Sequence, residues 1–183
     1  MGIKRKILLV SGKIFSGKDY TANSLVKRNS WKKLSFADHL KLSCAEKYNI
    51  DSVLFYTHTG KSLKYDSTRT YRDLLVETSY ALKSKNQDYF VEKIIQQIVP
   101  NKTSNFVIPD FRFPNEYTRI KQDLSGSFDV NTCLVIRPDN NHKSNCPSET
   151  ALSDFPFDFT IINDQDDKKI LKTIENFYNS NKA

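Results

Sequence analysis

The sequence predicts an α/β protein, a three-layer sandwich with a mainly parallel five-stranded sheet between helices, and three observations support this prediction. Short apolar segments alternate with helical segments along the chain, which is the pattern of parallel strands joined by crossover helices. The first apolar segment, 7–10, runs directly into a loop that contains two glycines. The length of 183 residues fits one domain with a full-sized core.

Each predicted element has a local signal. Short apolar runs predict strands at 5–11, 31–36, 106–109, 132–136 and 159–162. Helices are predicted at 17–29, 37–48, 70–83, 88–99, 114–124 and 166–178, where Pro100 ends the fourth helix and Pro114 begins the fifth. The polar stretches 50–68 and 137–148 are predicted to be irregular. The excess of helix between the second and third strands predicts a helical insert at 37–100, in a core formed by 1–36 and 101–183.

The loop after the first strand, Gly12-Lys13-Ile14-Phe15-Ser16-Gly17-Lys18, has the spacing of a phosphate-binding loop between a strand and a helix. Its glycines allow close wrapping around a phosphate, its amides and the helix N-terminus donate to that phosphate, and Lys18 adds a full charge on the outer phosphates. A glycine-containing turn without a ligand is the alternative. The loop predicts a P-loop NTPase fold, with cofactor contacts from Gly12, Lys13, Ser16, Gly17, Lys18, Asp19 and Tyr20.

Two carboxylates are predicted to hold a metal beside this loop. Ser or Thr normally follows the loop lysine and binds magnesium, whereas this chain has Asp19, whose oxygens are also hard ligands. Asp110 ends the apolar run 106–109, and carboxyl ends of parallel strands lie at the ligand-binding edge of a sheet. Arg112, two residues on, could clamp a phosphoryl group bidentately. A turn residue or helix cap is the alternative for Asp110.

Composition and charge limit the partners. No apolar run approaches the roughly 20 residues of a membrane span, so no membrane partner is expected. The cysteines, Cys44, Cys133 and Cys146, lack a metal-ligand spacing and suit a reducing cytoplasm, with Cys133 expected in the core. The net charge of +7 suits either nucleic acid or a small polyanionic substrate. Because the sequence lacks an RNA-recognition signature, nucleic acid is not the expected partner; a homodimer stays open.

The segment Asp110-Phe111-Arg112-Phe113-Pro114-Asn115-Glu116 resembles the Asp-x-Arg-Phe-Pro-Asn-Glu segment of the deoxynucleoside monophosphate kinases, a viral and bacteriophage branch of the P-loop kinases. Further segments are similar to the same family in the same order: Gly17-Lys18-Asp19, the run 35–41, and Arg137-Pro138, His142, Ser148-Glu149 and Asn163-Asp164. The resemblance covers nearly the whole chain. It departs from the family in the five residues between His142 and Ser148, and in a loose match over 50–95.

The resemblance implies ATP as phosphoryl donor, Mg²⁺ as the metal and a nucleoside 5′-monophosphate, in particular a deoxynucleotide, as acceptor. Lys18, Arg112 and Asp110 would be catalytic, Asp19 and Asp110 would hold the metal, and Arg137 would contact the donor from a lid at 137–150. The acceptor contacts would be Phe36, Asp38, Lys41, Arg69, Arg72 and Glu149. The structural alternatives to these substrate contacts are a core position for Phe36, a solvent-exposed pair for Arg69 and Arg72, and a helix cap for Glu149. Asn163 and Asp164 would line the adenine pocket or turn the chain.

Two other functions stay open. The animal-type phosphomevalonate kinases are similar in the loop, including its Lys-Asp ending, and differ most in the acceptor insert; the Phe-Pro-Asn-Glu run after Arg112 favours the nucleotide branch. The net charge of +7 gives some support to an NTPase stimulated by nucleic acid. The small size and the predicted insert argue against that NTPase.

Overall fold

The computed structural model describes residues 4–28, 30–101, 103–140 and 147–180. Five strands form one sheet: β1 (Arg5–Ser11), β2 (Trp31–Lys33), β3 (Asn105–Ile108), β4 (Phe128–Ile136) and β5 (Phe159–Ile162). Their order is β2-β3-β1-β4-β5, and all four pairings are parallel. The central strand β1 is buried from Ile7 to Ser11, as expected for a parallel strand covered on both faces. The predicted fold class is confirmed.

Eight helices lie in the described part of the chain: α1 (Lys18–Val26), α2 (Phe36–Tyr48), α3 (His58–Ser62), α4 (Tyr71–Lys85), α5 (Tyr89–Ile98), α6 (Pro114–Leu124), α7 (Pro147–Thr150) and α8 (Asp167–Ser180). Two 3-10 turns, Ser52–Phe55 and Val99–Asn101, accompany them. None of these helices is both long and apolar enough to cross a membrane.

The chain divides into two compact units, of which the first comprises Met1–Ser35 and Ile95–Ala183. In this unit Leu8 and Val10 of β1 pack in a buried cluster with residues of α1 and α8. Ile7 and Leu9 alternate with them and are also fully buried, and α6 packs against β4. Because side chains alternate between the faces of a strand, the sheet is covered on both sides.

The second compact unit is Phe36–Ile94. Its core is formed by Cys44, Phe55 and Leu74, with Tyr48 and Tyr71 packed against it. Cys44 and Cys133 are buried free thiols, which confirms the core position expected for Cys133; Cys146 lies outside the described residues.

Three segments differ from the sequence expectations. Phe36 does not end the second strand; it begins α2. The stretch 50–68 was expected to be irregular and instead contains two short helical turns, because Asp51 and Thr57 accept hydrogen bonds from the amides of Val53 and Gly60 and so cap them. The fourth strand begins at Phe128 rather than at 132. Its first residues alternate between buried and polar positions, which hides a strand from a search for apolar runs.

Candidate active site

The loop between β1 and α1 has the backbone that its glycines predict. Gly12 has a φ of 149° and Gly17 a φ of 92°, both in the range that favours glycine. A Cβ atom on Gly12 would collide with the carbonyl oxygen of Val135 in β4, and one on Gly17 would collide with the side-chain amide of Asn163 after β5. Both glycines are therefore required by conformation and by close packing.

We expect Gly17→Ala to lower the free energy of unfolding by about 1–3 kcal/mol, because it adds a strained φ and a clash with Asn163. Gly126→Ala is the matched control, since a Cβ there meets nothing within 4 Å and alanine is then neutral or stabilising. Urea unfolding measures both changes. Equal unfolding free energies for the two variants would contradict the tight packing assigned to Gly17.

Asn163 anchors the loop from behind. Asn163 is only 3% exposed. Its Nδ2 donates to the carbonyl oxygen of Ser16 at 2.8 Å. Its Oδ1 accepts from the amide of Gln165 at 3.0 Å, and its own amide donates to the carbonyl of Ile136. Of the two roles expected for Asn163, an adenine contact and a turn of the chain, the bond to Gln165 supports the turn. Its bond to Ser16 adds support of the loop, a role that the sequence does not predict; a polar residue directly after a predicted strand is the signal for it.

The other predicted cofactor residues lie around the loop. The Ser16 hydroxyl is buried and has no hydrogen-bond partner among the described residues, so its hydrogen-bonding capacity is unused within the described part of the chain. Lys13 is exposed at the loop surface, and Arg137 is exposed directly after β4. The Tyr20 hydroxyl donates to the carbonyl of Gln165 at 3.0 Å, which ties α1 to the segment after β5.

Lys18 lies among the charged side chains of the site. Its Nζ donates to the carbonyl oxygens of Gly12 at 2.6 Å and Lys13 at 2.8 Å. Burial lowers the pKa of Lys18, and the positive charge of the nearby Arg112 lowers it further. Three carboxylates oppose this shift: Glu149, Asp19 and Asp110. The structure therefore brings together the predicted catalytic and metal-binding residues, together with Glu149.

Each predicted metal ligand has a partner from the end of β2. Lys33 Nζ lies 2.5 Å from Asp19 Oδ1, and the Asp19 side chain is 76% exposed. The hydroxyl of Ser35 donates to Asp110 Oδ2 at 2.8 Å. Lys33 and Ser35 are not among the site residues that the sequence predicts. Their signal was their place at the end of a predicted strand, at the same edge of the sheet as the loop.

The carboxylates of Asp19 and Asp110 are oxygen donors of the kind that bind Mg²⁺. Mg²⁺ commonly takes one or two carboxylates and completes its shell with water and substrate phosphates. Asp19 and Asp110 are both close enough to Lys18 to act on its pKa. Among the described residues, no group of three or more His, Cys, Asp or Glu side chains could hold a metal by itself. A cage made of protein ligands alone is therefore not present in this part of the chain.

Arg112 is held at its backbone and at its side chain. Its amide donates to Glu116 Oε2 at 2.8 Å, and the buried Glu116 also accepts from the amide of Phe113. In the side chain, Nη1 donates to the carbonyl oxygen of Ser148 at 3.2 Å and to Glu149 Oε1. Glu116 was quoted in the sequence motif without a role; it fixes the turn that presents Arg112.

A cavity of about 350 Å³ lies beside the loop and Arg112, within the size range of small-molecule sites. Its polar lining includes Gly12, Lys13 and Glu149, and three phenylalanines supply aromatic surface: Phe111, Phe155 and Phe157. The cavity thus places apolar surface next to the charged groups of the loop.

Five of the six predicted acceptor residues lie in the second compact unit, the exception being Glu149. Four of the five are packed or paired within the protein. Phe36 is buried, at 5% exposure, which agrees with the core role kept open as the alternative to stacking on a base. Asp38 and Lys41 form an ion pair at 3.0 Å, and the Lys41 ammonium lies 3.9 Å from the ring centre of Tyr56. This packing favours a structural role for Phe36 and Lys41.

The two predicted arginines of this unit differ. Arg69 forms ion pairs with Asp66 at 2.7 Å and with Glu77 at 3.1 Å, so these two carboxylates engage its guanidinium within the protein. Arg72 is exposed at the start of α4. It has no hydrogen bond or ion pair with the part of the chain that the structure describes. Of these two arginines, only Arg72 therefore offers its guanidinium to a ligand. His142, which the sequence motif included, lies outside the described residues.

No family model matches the sequence, and a search of curated proteins finds no match. Solved structures do match. A dephospho-CoA kinase from Campylobacter jejuni is 15% identical, with a TM-score of 0.51, over 94% of this chain and 97% of that chain. A candidate kinase from Chloroflexus aurantiacus is 11% identical, with a TM-score of 0.52, over 98% of this chain and 99% of that chain. Such low identities bear on the fold alone, and this chain has the fold of the P-loop kinases.

Proposed function

We propose that this protein transfers the γ-phosphoryl group of ATP to a nucleoside 5′-monophosphate, in particular a deoxynucleotide, to give the diphosphate. The observation that carries the proposal is that Arg112, Asp19 and Asp110 all lie close enough to Lys18, at the end of the phosphate loop, to act on its pKa. Phosphoryl transfer needs positioning and charge neutralisation more than covalent chemistry from the protein. Two cations and two carboxylates at one loop supply those requirements.

On the donor side, Lys18 would exchange the carbonyls of Gly12 and Lys13 for the outer phosphates of ATP. The loop amides and the hydroxyl of Ser16 would bind phosphate oxygens. Asp19 and Asp110 would hold Mg²⁺, which supplies neutralising charge to the phosphates when bound. Lys33 and Ser35 would orient these two carboxylates through the contacts described above.

On the acceptor side, Arg112 would reach the oxygens of the transferred group, since a guanidinium matches phosphate geometry bidentately. Arg72 is the best remaining candidate in the second unit for the acceptor phosphate, because it is exposed without a partner in the described chain. The deoxynucleotide as acceptor rests on the resemblance of the run 110–116 to the deoxynucleoside monophosphate kinases.

A panel of acceptors tests this substrate class. The panel holds dAMP, dGMP, dCMP and dTMP, their ribose counterparts and phosphomevalonate, each incubated with ATP and Mg²⁺ and assayed for its diphosphate product. We expect product from one or more deoxynucleotides. Product from phosphomevalonate alone would replace the nucleotide with an isoprenoid precursor. ATP hydrolysis that rises only with DNA or RNA would replace the kinase with a nucleic-acid-stimulated NTPase.

The lowered pKa of Lys18 predicts a pH dependence of nucleotide binding. Below its lowered pKa, Lys18 is charged in the free protein; above it, binding of a polyphosphate must take up a proton. We therefore expect the affinity for a non-hydrolysable ATP analogue to fall as pH rises through that pKa, by up to about tenfold per pH unit. Calorimetry in two buffers of different ionisation enthalpy measures the proton uptake. Lys18→Met should abolish the uptake, and unchanged uptake in that variant would assign it to another group.

A further inference from the structure

The carboxylate of Glu149 joins the phosphate loop to Arg112. Glu149 Oε2 accepts a hydrogen bond from the amide of Ile14, in the middle of the loop, at 2.9 Å. Glu149 Oε1 accepts from Nη1 of Arg112. We infer that Glu149 is a positioning residue that fixes the orientation of Arg112 relative to the phosphate loop. The inference rests on the proposed function and adds to it a residue that acts through Arg112.

The loop side of this link is firm because Ile14 is held at both of its backbone polar groups. Its amide donates to Glu149, and its carbonyl oxygen accepts from Nδ2 of Asn140 at 2.7 Å. Both partners are side chains from the segment that follows β4. The loop conformation at Ile14 is thus coupled to the position of Glu149, whose side chain is only 12% exposed.

The contacts of Arg112 with Ser148 and Glu149 leave one hydrogen-bonding edge of its guanidinium available to a ligand. Within the described chain, the side-chain hydrogen bonds of Arg112 all use Nη1, toward Ser148 and Glu149. Its Nε and Nη2 have no hydrogen-bond partner among the described residues. These two nitrogens form one side of the planar fork that binds phosphate bidentately. Glu149 therefore holds one side of the guanidinium and leaves the other side for a phosphoryl group.

The charge of Glu149 supports this role. Burial alone would raise the pKa of Glu149, but the hydrogen bond and the charge of Arg112, the Ile14 amide and Lys18 together hold that pKa below its ordinary value. Glu149 is thus ionised at neutral pH and attracts Arg112. The family resemblance suggested a substrate contact for this residue, but in the structure both of its carboxylate oxygens are engaged by the protein.

A double-mutant cycle tests the inference. The kcat and the acceptor KM are measured for the wild type, Glu149→Ala, Arg112→Ala and the double variant. We expect Glu149→Ala to lower kcat by roughly ten- to a hundredfold through misplacement of the guanidinium, with little change in acceptor KM. In the Arg112→Ala background the same substitution should have no further effect on kcat. Glu175→Ala is the control, since Glu175 pairs with Arg28 in an exposed ion pair.

The results of this cycle can overturn the positioning role of Glu149 without overturning the proposed kinase function. Additive effects of Glu149→Ala and Arg112→Ala on kcat would overturn the inference while leaving the kinase function in place. An unchanged kcat in Glu149→Ala would overturn it as well. Glu149→Gln keeps the shape of the side chain, so it provides the same cycle if the alanine variant fails to fold. A wild type without transfer to any acceptor would overturn the proposed function, and the inference with it.

Discussion

Lys18→Ala is expected to lower kcat by at least about 10²–10³-fold while the protein remains folded. Lys18 Nζ lies over the loop, bonded to the carbonyls of Gly12 and Lys13, and would move from these neutral acceptors to the charged phosphates of ATP. Alanine removes the full positive charge of this side chain and leaves the anionic Asp19 and Asp110 beside a triphosphate. The repulsion should weaken ATP binding as well as slow the transfer step.

The measurement is the steady-state rate of diphosphate formation, together with the unfolding midpoint as a check on folding. Lys172→Ala is the matched control, because Lys172 is an exposed lysine on α8 and its loss removes the same charge from the chain. We expect control activity close to that of the wild type. A folded Lys18→Ala variant that retains full activity would contradict the assignment of the phosphate loop.

Arg112→Ala is expected to lower kcat by about 10²–10³-fold and to raise the acceptor KM by less. The reason is that charge builds up on the transferred group in the transition state, where the free Nε and Nη2 of Arg112 can bind it. The ground state would lose a smaller share of this interaction. A fall in kcat and in kcat/KM by similar factors is the signature of a contact made in the transition state.

Arg119→Ala controls for the loss of an arginine, since Arg119 lies in α6 and pairs with Asp123 on its surface at 3.1 Å. Arg112→Lys separates charge from geometry: lysine keeps the charge but lacks the planar fork, so we expect it to restore little of the rate. If Arg112→Ala raised the acceptor KM and left kcat unchanged, the arginine would be a ground-state binding residue instead.

Local patterns carried the prediction of the fold. The strand, loop and helix around 5–26 could be predicted because an apolar run, two glycines and a lysine lie next to each other in the chain. The start of β4 was missed because Asp129 and Asn131 alternate with buried Phe128 and Val130. The helical turns within 50–68 were missed because they depend on individual caps by Asp51 and Thr57 rather than on periodicity.

The site residues were also predictable only where a local pattern in the sequence marks them. Asp110 and Arg112 lie just after β3, and Lys18 lies at the end of the loop after β1, so the parallel strand order brings them to one edge of the sheet. The contacts of Glu149 with Ile14 and of Asn163 with Ser16 span more than a hundred residues, and no local pattern encodes such pairs. Phe36 and Arg69 had the residue types of ligand contacts, but their burial and ion pairs arise from tertiary packing, which spacing alone does not predict.

The most direct test of the central claim is the fate of the γ-phosphoryl group. ATP labelled in its γ-phosphate is incubated with the wild-type protein, Mg²⁺ and a mixture of the four deoxynucleoside monophosphates, and the products are separated. We predict label in a deoxynucleoside diphosphate, with Lys18→Ala as the inactive reference. Label found only in inorganic phosphate, or left in ATP, would contradict the proposal that this site transfers phosphoryl groups to nucleotides.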